Sequence, residues 1–267
     1  MFTAWSSSKL KKYKNLINYS LYTMFFVYII YLILKEPNVL GKIPYFLILL
    51  IFGTLTFLNE YLKSLYTKSI LLLTDSCNPK EGLKLIKLIE RLDLFKSYKN
   101  SIIIFKLLAL RDLGNIDELL KYANSLDIDH LHFNKDIILI YNYTLFMSYI
   151  DIKNDDKVLT YYKNLISIKK ENNCPNLFSW SELNGIYHLY NNNLIESKKH
   201  FNKVKTNEMN TRERLHFFFN LSKLCIAQKE YDYSLKYLNN ITSIENDLSI
   251  NCEAQSILNS LYKNKKV

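Results

Sequence analysis

Glycine and proline are both scarce in this sequence. The chain of 267 residues contains 5 glycines and 4 prolines, which is well below average usage. All-β folds and phosphate-binding loops need glycine at turns where the backbone adopts positive φ. The scarcity of glycine argues against both and predicts an all-α protein whose helices are joined by short connections.

Sequence patterns of catalysis and cofactor binding are also missing. The chain has no HExxH or GxSxG motif, no Walker A loop and no dinucleotide-binding fingerprint. Its 4 cysteines are far apart and form no CxxC pair, which is typical of free thiols in a reducing compartment. We therefore expect a protein without enzyme activity and without a cofactor.

One short segment contains residue types that bind metals. Asp127, Asp129, His130 and His132 lie close together in the sequence SLDIDHLHF, and carboxylates and imidazoles are ligands of transition metals. No further ligand with suitable spacing accompanies them, and both residue types are tolerated in turns. The favoured interpretation is a polar loop between helices, so we expect no metal site.

Charged residues are absent from two apolar segments near the N-terminus. Residues 15–34 form the first and Ile43–Asn59 the second. An uncharged helix of about 20 residues crosses a hydrocarbon core about 30 Å thick. We predict a two-span transmembrane hairpin with spans at about 16–34 and 43–59, joined by a loop that contains Pro37 and Gly41.

Two other interpretations of the apolar segments compete with the membrane hairpin. A cleaved signal peptide has an apolar core of about 7–15 residues and a small-residue cleavage site, and neither feature is present here. A buried hairpin of a soluble helical protein would show a polar stripe, which the first segment lacks. The membrane hairpin therefore remains the preferred interpretation.

The positive charge of the chain is concentrated around the predicted spans. The net charge is +10, and residues 1–42 supply half of it through six lysines and one glutamate. The lysines that flank the spans are Lys9, Lys11, Lys12, Lys14, Lys63 and Lys68. By the positive-inside rule, the N-terminus and the C-terminal domain both lie in the cytoplasm of a multi-pass membrane protein. The remaining charge is mild for a domain of this size, so we expect the lipid bilayer as a partner and no nucleic acid.

Residues 60–267 are predicted to form a separate domain of amphipathic helix pairs. The second helix of each pair carries a spaced trio of core residues, and the first members of the five trios are Gly82, Leu119, Val158, Ser197 and Ser234. These positions are separated by 37, 39, 39 and 37 residues. A near-constant step with two helices per unit predicts a right-handed α-solenoid of helix-turn-helix repeats.

The repeat resembles the tetratricopeptide repeat superfamily. The unit aligned on Ser197 places Gly185 at a position where that motif has a small residue, which lets the two helices approach closely. The last unit places Phe218, Leu221 and Ser222 at further motif positions, and its KEYDYS segment resembles the usual turn. The step exceeds the period of about 34 residues, the proline that ends each motif is missing, and Phe146 occupies a position that is normally small.

The resemblance implies a concave groove lined by the first helix of each unit. The groove-facing positions map onto Tyr143, Met147 and Ile150 in the third unit, onto Glu182, Ile186 and Leu189 in the fourth, and onto Phe219 and Lys223 in the fifth. Aromatic and aliphatic side chains with few charges could bind a peptide or a helix. The alternative is that these side chains only pack between helices.

The function that best fits these features of the sequence is that of a membrane-anchored scaffold or adaptor. Its repeats would hold an unidentified protein or peptide at the inner face of the membrane. The alternative is a membrane sensor, regulatory or immunity factor that responds to a peptide or lipid. The abundance of Lys, Asn, Ile, Leu and Tyr is typical of an AT-rich bacterial genome.

Overall fold

The structure is a computed structural model that describes residues 20–127, 134–170 and 178–265. Within these ranges the chain forms helices and turns and contains no strand, which confirms the all-α class. Lys9, Lys11, Lys12 and Lys14 lie outside the described residues. Asp129, His130 and His132 of the polar loop lie outside them as well.

The helices follow one another with short connections. Their bounds are α1 Ser20–Lys35, α2 Val39–Thr74, α3 Pro79–Leu92, α4 Lys99–Asp112, α5 Ile116–Asn124, α6 Lys135–Asp151, α7 Asp155–Lys170, α8 Trp180–Tyr190, α9 Leu194–Phe201, α10 Thr211–Ala227, α11 Tyr231–Thr242 and α12 Ser249–Lys265. A short 3-10 helix, Thr206–Glu208, precedes α10. The chain divides into two compact units, Met1–Lys63 and Ser64–Val267.

Among the residues that the structure describes, one helix is long and apolar enough to cross a membrane. This helix is α2, which has 36 residues, and its most apolar part is not buried inside the protein. At about 1.5 Å per residue it is roughly 54 Å long, which exceeds the thickness of a hydrocarbon core. The described part of the first predicted span is the shorter apolar helix α1.

Helix α2 differs from the sequence prediction at both ends. The predicted second span continues as one helix to Thr74, because no glycine or proline lies between Thr54 and Thr74 to end it. The predicted loop shrinks to residues 36–38. Pro44 therefore lies inside the helix rather than in its first turn, where it removes one backbone hydrogen bond.

Besides the turn at Lys96, five turns of the second unit place one residue in the left-handed backbone region. These residues are Cys77, Gly114, Lys153, Asn192 and Lys229, with φ between 50° and 69°. In the last four turns, the next amide donates to a carbonyl five residues earlier over 2.8–3.2 Å, which is the long bond of a Schellman motif. The five residues are separated by 37, 39, 39 and 37 positions, the same steps as the trios in the sequence.

Helix pairs pack closely where the sequence places a small residue. Gly185 of α8 lies so near α9 that an added Cβ would overlap the ring of Phe201, and the Ser197 hydroxyl donates to the Gly185 carbonyl over 2.9 Å. A Cβ on Gly82 would lie 2.6 Å from Cζ of Phe105. The close approach expected at Gly185 is therefore present.

The first and last turns of the second unit contact each other. Cys77 belongs to one apolar cluster with residues of the last helices, among them Leu215, Leu238 and Leu258. The Cys77 carbonyl also accepts a hydrogen bond of 3.0 Å from the Asp247 amide. An open solenoid brings only neighbouring repeats into contact, so the helices of this unit form a closed arrangement in which α10 to α12 meet the first turn.

Candidate functional site

Two cavities lie inside the second unit, on one continuous face of α6, α8 and α10. The first, here called the Arg111 cavity, has a volume of about 540 Å³ and also contacts α4. The second, the Lys223 cavity, has a volume of about 760 Å³. Both volumes fall in the range of about 300–1,000 Å³ that is usual for ligand pockets.

Seven of the eight groove positions expected from the sequence line one of these two cavities. Tyr143 and Glu182 line the Arg111 cavity. Met147, Ile150, Ile186, Leu189 and Lys223 line the Lys223 cavity. Phe219 is 4% exposed, and the Lys223 ammonium lies 4.3 Å from the centroid of its ring. Phe219 lines neither cavity and packs in the apolar core with Leu215 and Leu238. The other seven residues lie on successive turns of α6, α8 and α10.

Lys63 and Lys68, expected to set membrane topology, lie on exposed positions of α2 beyond its apolar part. Lys63 lies 3.4 Å from Glu60, one helical turn earlier. Asp127, from the polar loop, follows α5 and is exposed. In the described ranges no group of three His, Cys, Asp or Glu side chains could hold a metal ion.

A buried ionic cluster joins α4 to α10 beside the Arg111 cavity. Asp112 is fully buried, and it accepts hydrogen bonds from Nε and Nη2 of Arg212, 100 residues away in the sequence. The Nε2 atom of His216 lies 3.0 Å from Oδ1 of Asp112. Asp112 is therefore shared by two partners from the same face of α10.

Electrostatics fix the charge state of this cluster. Burial alone raises the pKa of Asp112, but Arg212 and the hydrogen bond from His216 hold it well below its usual range, so the carboxylate is ionised. Burial, together with the nearby Arg111, lowers the pKa of His216 to about 4. His216 is therefore neutral at pH 7, and its Nε2–H donates to Asp112.

Arg111 lies next to this cluster at the end of α4. Its side chain is 9% exposed, and its guanidinium carbon lies 5.5 Å from the centroid of the Tyr143 ring, as in a cation–π contact. Nη1 is 3.9 Å from Oδ1 of Asp112, which is beyond hydrogen-bond distance. In the described part of the chain, Nε and Nη1 are buried and have no hydrogen-bond acceptor.

Glu182 is a buried carboxyl group between the two cavities. It is 8% exposed, and Oε1 accepts a hydrogen bond of 3.3 Å from Nδ2 of Asn220, which lines the Lys223 cavity. Burial raises the pKa of Glu182 to about 7, against the smaller opposing effects of Asn220 and Arg111. Burial thus favours the neutral form of Glu182.

Glu182→Gln is expected to stabilise the protein near pH 8 and to change little near pH 5. The pKa of Glu182 is about 7 in the folded chain and 4.5 without the fold, so protonation stabilises the folded state. This stabilisation is complete below about pH 4.5 and is lost as pH rises through about 7. We expect a gain of about 1–3 kcal/mol at the higher pH, measured by denaturant unfolding of the full chain in detergent micelles.

The matched control is Glu245→Gln, because Glu245 is exposed. It should leave the pH dependence of unfolding as in the original protein. Glutamine at position 182 has the shape of glutamate and keeps an acceptor for Asn220. A change in stability would therefore not reflect lost packing or a lost hydrogen bond. A stability difference between the original protein and Glu182→Gln that stays constant from about pH 5 to pH 8 would contradict the assigned pKa.

The sequence prediction missed two features of this site. Arg111 and Leu108 line the Arg111 cavity. The groove register of the third to fifth units, applied to the second unit, assigns these two residues to the groove. The Asp112–Arg212 pair gave no such signal, because its members are 100 residues apart and nothing local in the sequence joins them. His216 is likewise separated from Asp112 by 104 residues.

The arrangement combines buried donors with apolar walls. It suits the binding of hydrogen-bond acceptors in a site of low dielectric, where charged hydrogen bonds are stronger than in water. No protein family, curated protein or solved structure matches this chain. The function is therefore argued from the geometry of its own residues.

Proposed function

We propose that this chain is a membrane-anchored scaffold or adaptor that holds a protein or peptide at the inner face of a membrane. Its binding region is the face shared by the two cavities, built from tetratricopeptide-like repeats whose first and last turns also contact each other. The protein performs no chemical reaction, uses no cofactor and binds no nucleic acid. The bilayer is its second partner.

The observation that carries this proposal is the sharing of one face by both cavities. Side chains at successive turns of α6, α8 and α10 enter first one cavity and then the other. A continuous row of pockets is suited to an extended peptide or a helix, whose side chains recur at regular intervals. The repeated left-handed turns, with their steps of 37 and 39 residues, support the repeat architecture.

The anchor is proposed as a two-span hairpin made of the first apolar segment and the apolar part of α2. The exposed apolar surface of α2 supports membrane insertion, because side chains such as Phe57 (75% exposed) would otherwise face water. Lys9, Lys11, Lys12 and Lys14 would hold the N-terminus on the cytoplasmic side. Lys63 and Lys68 would keep the helical domain on the same side.

Leu189→Lys is expected to abolish capture of the partner. Leu189 lines the Lys223 cavity and is half-buried, so a lysine there places a charge on its apolar wall. The measurement uses the tagged full chain, extracted from the membrane pellet into nanodiscs and incubated with lysate of the source organism. Captured proteins are quantified by mass spectrometry.

The control is the same substitution at Leu159 of α7, which is 41% exposed and lines neither cavity. Leu159→Lys should capture the partner as the original protein does, and both variants should melt within a few degrees of it. A partner retained equally by both variants would contradict the groove. Recovery of the chain from the soluble fraction without detergent would contradict the anchor.

One observation favours the alternative function of a membrane sensor. Helix α2 runs without a break from the apolar segment to Thr74 in the second unit, and an unbroken helix can transmit a displacement. In the same capture experiment, residues 20–59 are replaced by an unrelated two-span anchor. A scaffold keeps its partner after this exchange, whereas a sensor no longer responds to its peptide or lipid.

A further inference from the structure

Arg111 is a buried cation whose hydrogen-bonding capacity is not used. Its nitrogens Nε and Nη1 meet no acceptor in residues 20–127, 134–170 and 178–265. The nearby carboxylate of Asp112 is already bonded to Arg212 and His216. A buried donor without a partner destabilises the protein, and the effect is larger for a charged group. This side chain lines the Arg111 cavity and is therefore placed to meet a ligand.

One positive charge at this site remains without full compensation. Asp112 compensates Arg212, and His216 is neutral at pH 7 because burial lowers its pKa. Glu182 carries only part of a negative charge at that pH. Asp151 and Glu253 interact with the charge of Arg111, but both are exposed to solvent. The excess charge favours an anion over a neutral ligand.

The other acidic residues of the cavity wall are already engaged. Glu208 forms an ion pair of 3.5 Å with Lys205, and both side chains are exposed. Glu213 accepts a hydrogen bond of 3.2 Å from the Asn210 amide, as part of the capping box of α10. Neither carboxylate is therefore free to act as the partner of Arg111.

Aromatic and aliphatic side chains form the rest of the cavity. The rings of Phe178 and Trp180 lie 5.0 Å apart, and Leu108 and Ile140 add aliphatic surface. These groups offer an apolar surface close to the guanidinium. The cavity thus suits a ligand that carries an anionic group directly beside an apolar side chain.

We propose that the Arg111 cavity binds a carboxylate of a peptide partner, with the Arg111 guanidinium as the donor. This inference rests on the proposed scaffold function and names the chemistry of its partner. A guanidinium fits a carboxylate or a phosphate with two parallel hydrogen bonds. A carboxylate is the better match. A phosphate carries almost two negative charges, and in this cavity it would meet one uncompensated cation and three glutamates of the wall. Because Nε and Nη1 are buried, binding requires the guanidinium to turn toward the cavity.

Peptide pools of defined ends test this inference on the full chain in nanodiscs. Fluorescein-labelled tetrapeptides carry a Gly-Ser spacer and two positions varied among Leu, Ile, Val, Phe and Met. One pool has a free C-terminal carboxylate, and a second has a C-terminal amide. A third is amidated but has Asp or Glu at one varied position. Fluorescence anisotropy should show that one carboxylate-bearing pool binds about ten- to hundredfold more tightly than the apolar amide pool.

Variants assign the effect to Arg111. Arg111→Met should remove this preference and leave the melting temperature equal or higher, since it deletes an unpaired buried charge. Arg111→Lys keeps the charge without the paired donors and should bind with intermediate affinity. Lys236→Met is the matched control, at an exposed position of α11 that lines neither cavity, and its affinity should stay within about threefold of the original, because exposed charges contribute little.

The outcomes separate the source of the carboxylate. Tight binding of the first pool assigns the peptide C-terminus, and tight binding of the third assigns an Asp or Glu side chain. Equal binding of all pools, no binding by any of them, or a preference that survives Arg111→Met would overturn the inference. The scaffold function is decided separately, because the Leu189→Lys capture experiment reports on the other cavity.

Discussion

Asp112→Asn is expected to lower the free energy of unfolding by about 3–5 kcal/mol, because it removes one member of a buried ion pair. The substitution keeps the shape of the side chain but leaves Arg212 and Arg111 charged in a buried site. It also weakens the acceptor of His216. The loss should appear in denaturant unfolding of the full chain in detergent, with a fall in melting temperature of roughly 6–20 °C.

A double variant distinguishes loss of the pair from loss of packing. Asp112→Leu combined with Arg212→Met removes both charges and fills the space with apolar groups, which is often neutral or stabilising. Its stability should therefore exceed that of Asp112→Asn. Asp156→Asn, at an exposed position of α7, should change stability by less than about 0.5 kcal/mol. Equal losses in all three variants would show that the pair is not coupled as described.

Phe201→Ala is expected to cost about 3–5 kcal/mol, which is the usual cost of removing a buried phenylalanine. Phe201 is 2% exposed, and its ring packs edge-on against Phe217 with centroids 5.8 Å apart. The ring also fills the space that Gly185 leaves open on α8. Unfolding of the full chain, followed by circular dichroism, measures this loss.

The contact between Gly185 and Phe201 can be tested by a double-mutant cycle. Gly185→Ala alone should destabilise the protein by about 1–3 kcal/mol, since the new methyl group overlaps the Phe201 ring. In the Phe201→Ala background the methyl group enters the void, so the two losses should not add. Gly53→Ala is the control, because nothing lies within 4 Å of its added Cβ. Additive losses at positions 185 and 201 would show that these residues are not in contact.

Helix positions could be predicted from local signals in the sequence. The repeat pattern places Gly82 on the second helix of the first pair, and this helix is α3, which spans Pro79–Leu92. Its start is fixed locally, since Asn78 accepts the Glu81 amide and proline occupies the first helical position. The absence of a helix-ending residue also explains why α2 extends beyond the predicted second span. Nothing in the sequence between the apolar segment and Thr74 ends a helix, and α2 continues through it.

The candidate site was predicted where it depends on helix periodicity. Tyr143 and Met147 are four residues apart on one face of α6, and each lines one of the two cavities. Contacts between distant segments could not be predicted in this way. Phe146 violates the small-residue rule of the motif, yet it is fully buried, with its ring 5.9 Å from that of Tyr162. Whether a large side chain fits depends on the opposite helix, which a single unit of sequence does not describe.

The contact between the first and last turns has a consequence for how the helical domain unfolds. In an open array each repeat is held only by its neighbours, so the terminal repeats fray at low free energy. Here the Cys77 turn is held by the last helices, and Asp112 is tied to Arg212 across 100 residues. Neither end can separate without breaking contacts at the other. The second unit should therefore unfold in a single cooperative transition, with hydrogen-exchange protection similar in its first and last helices.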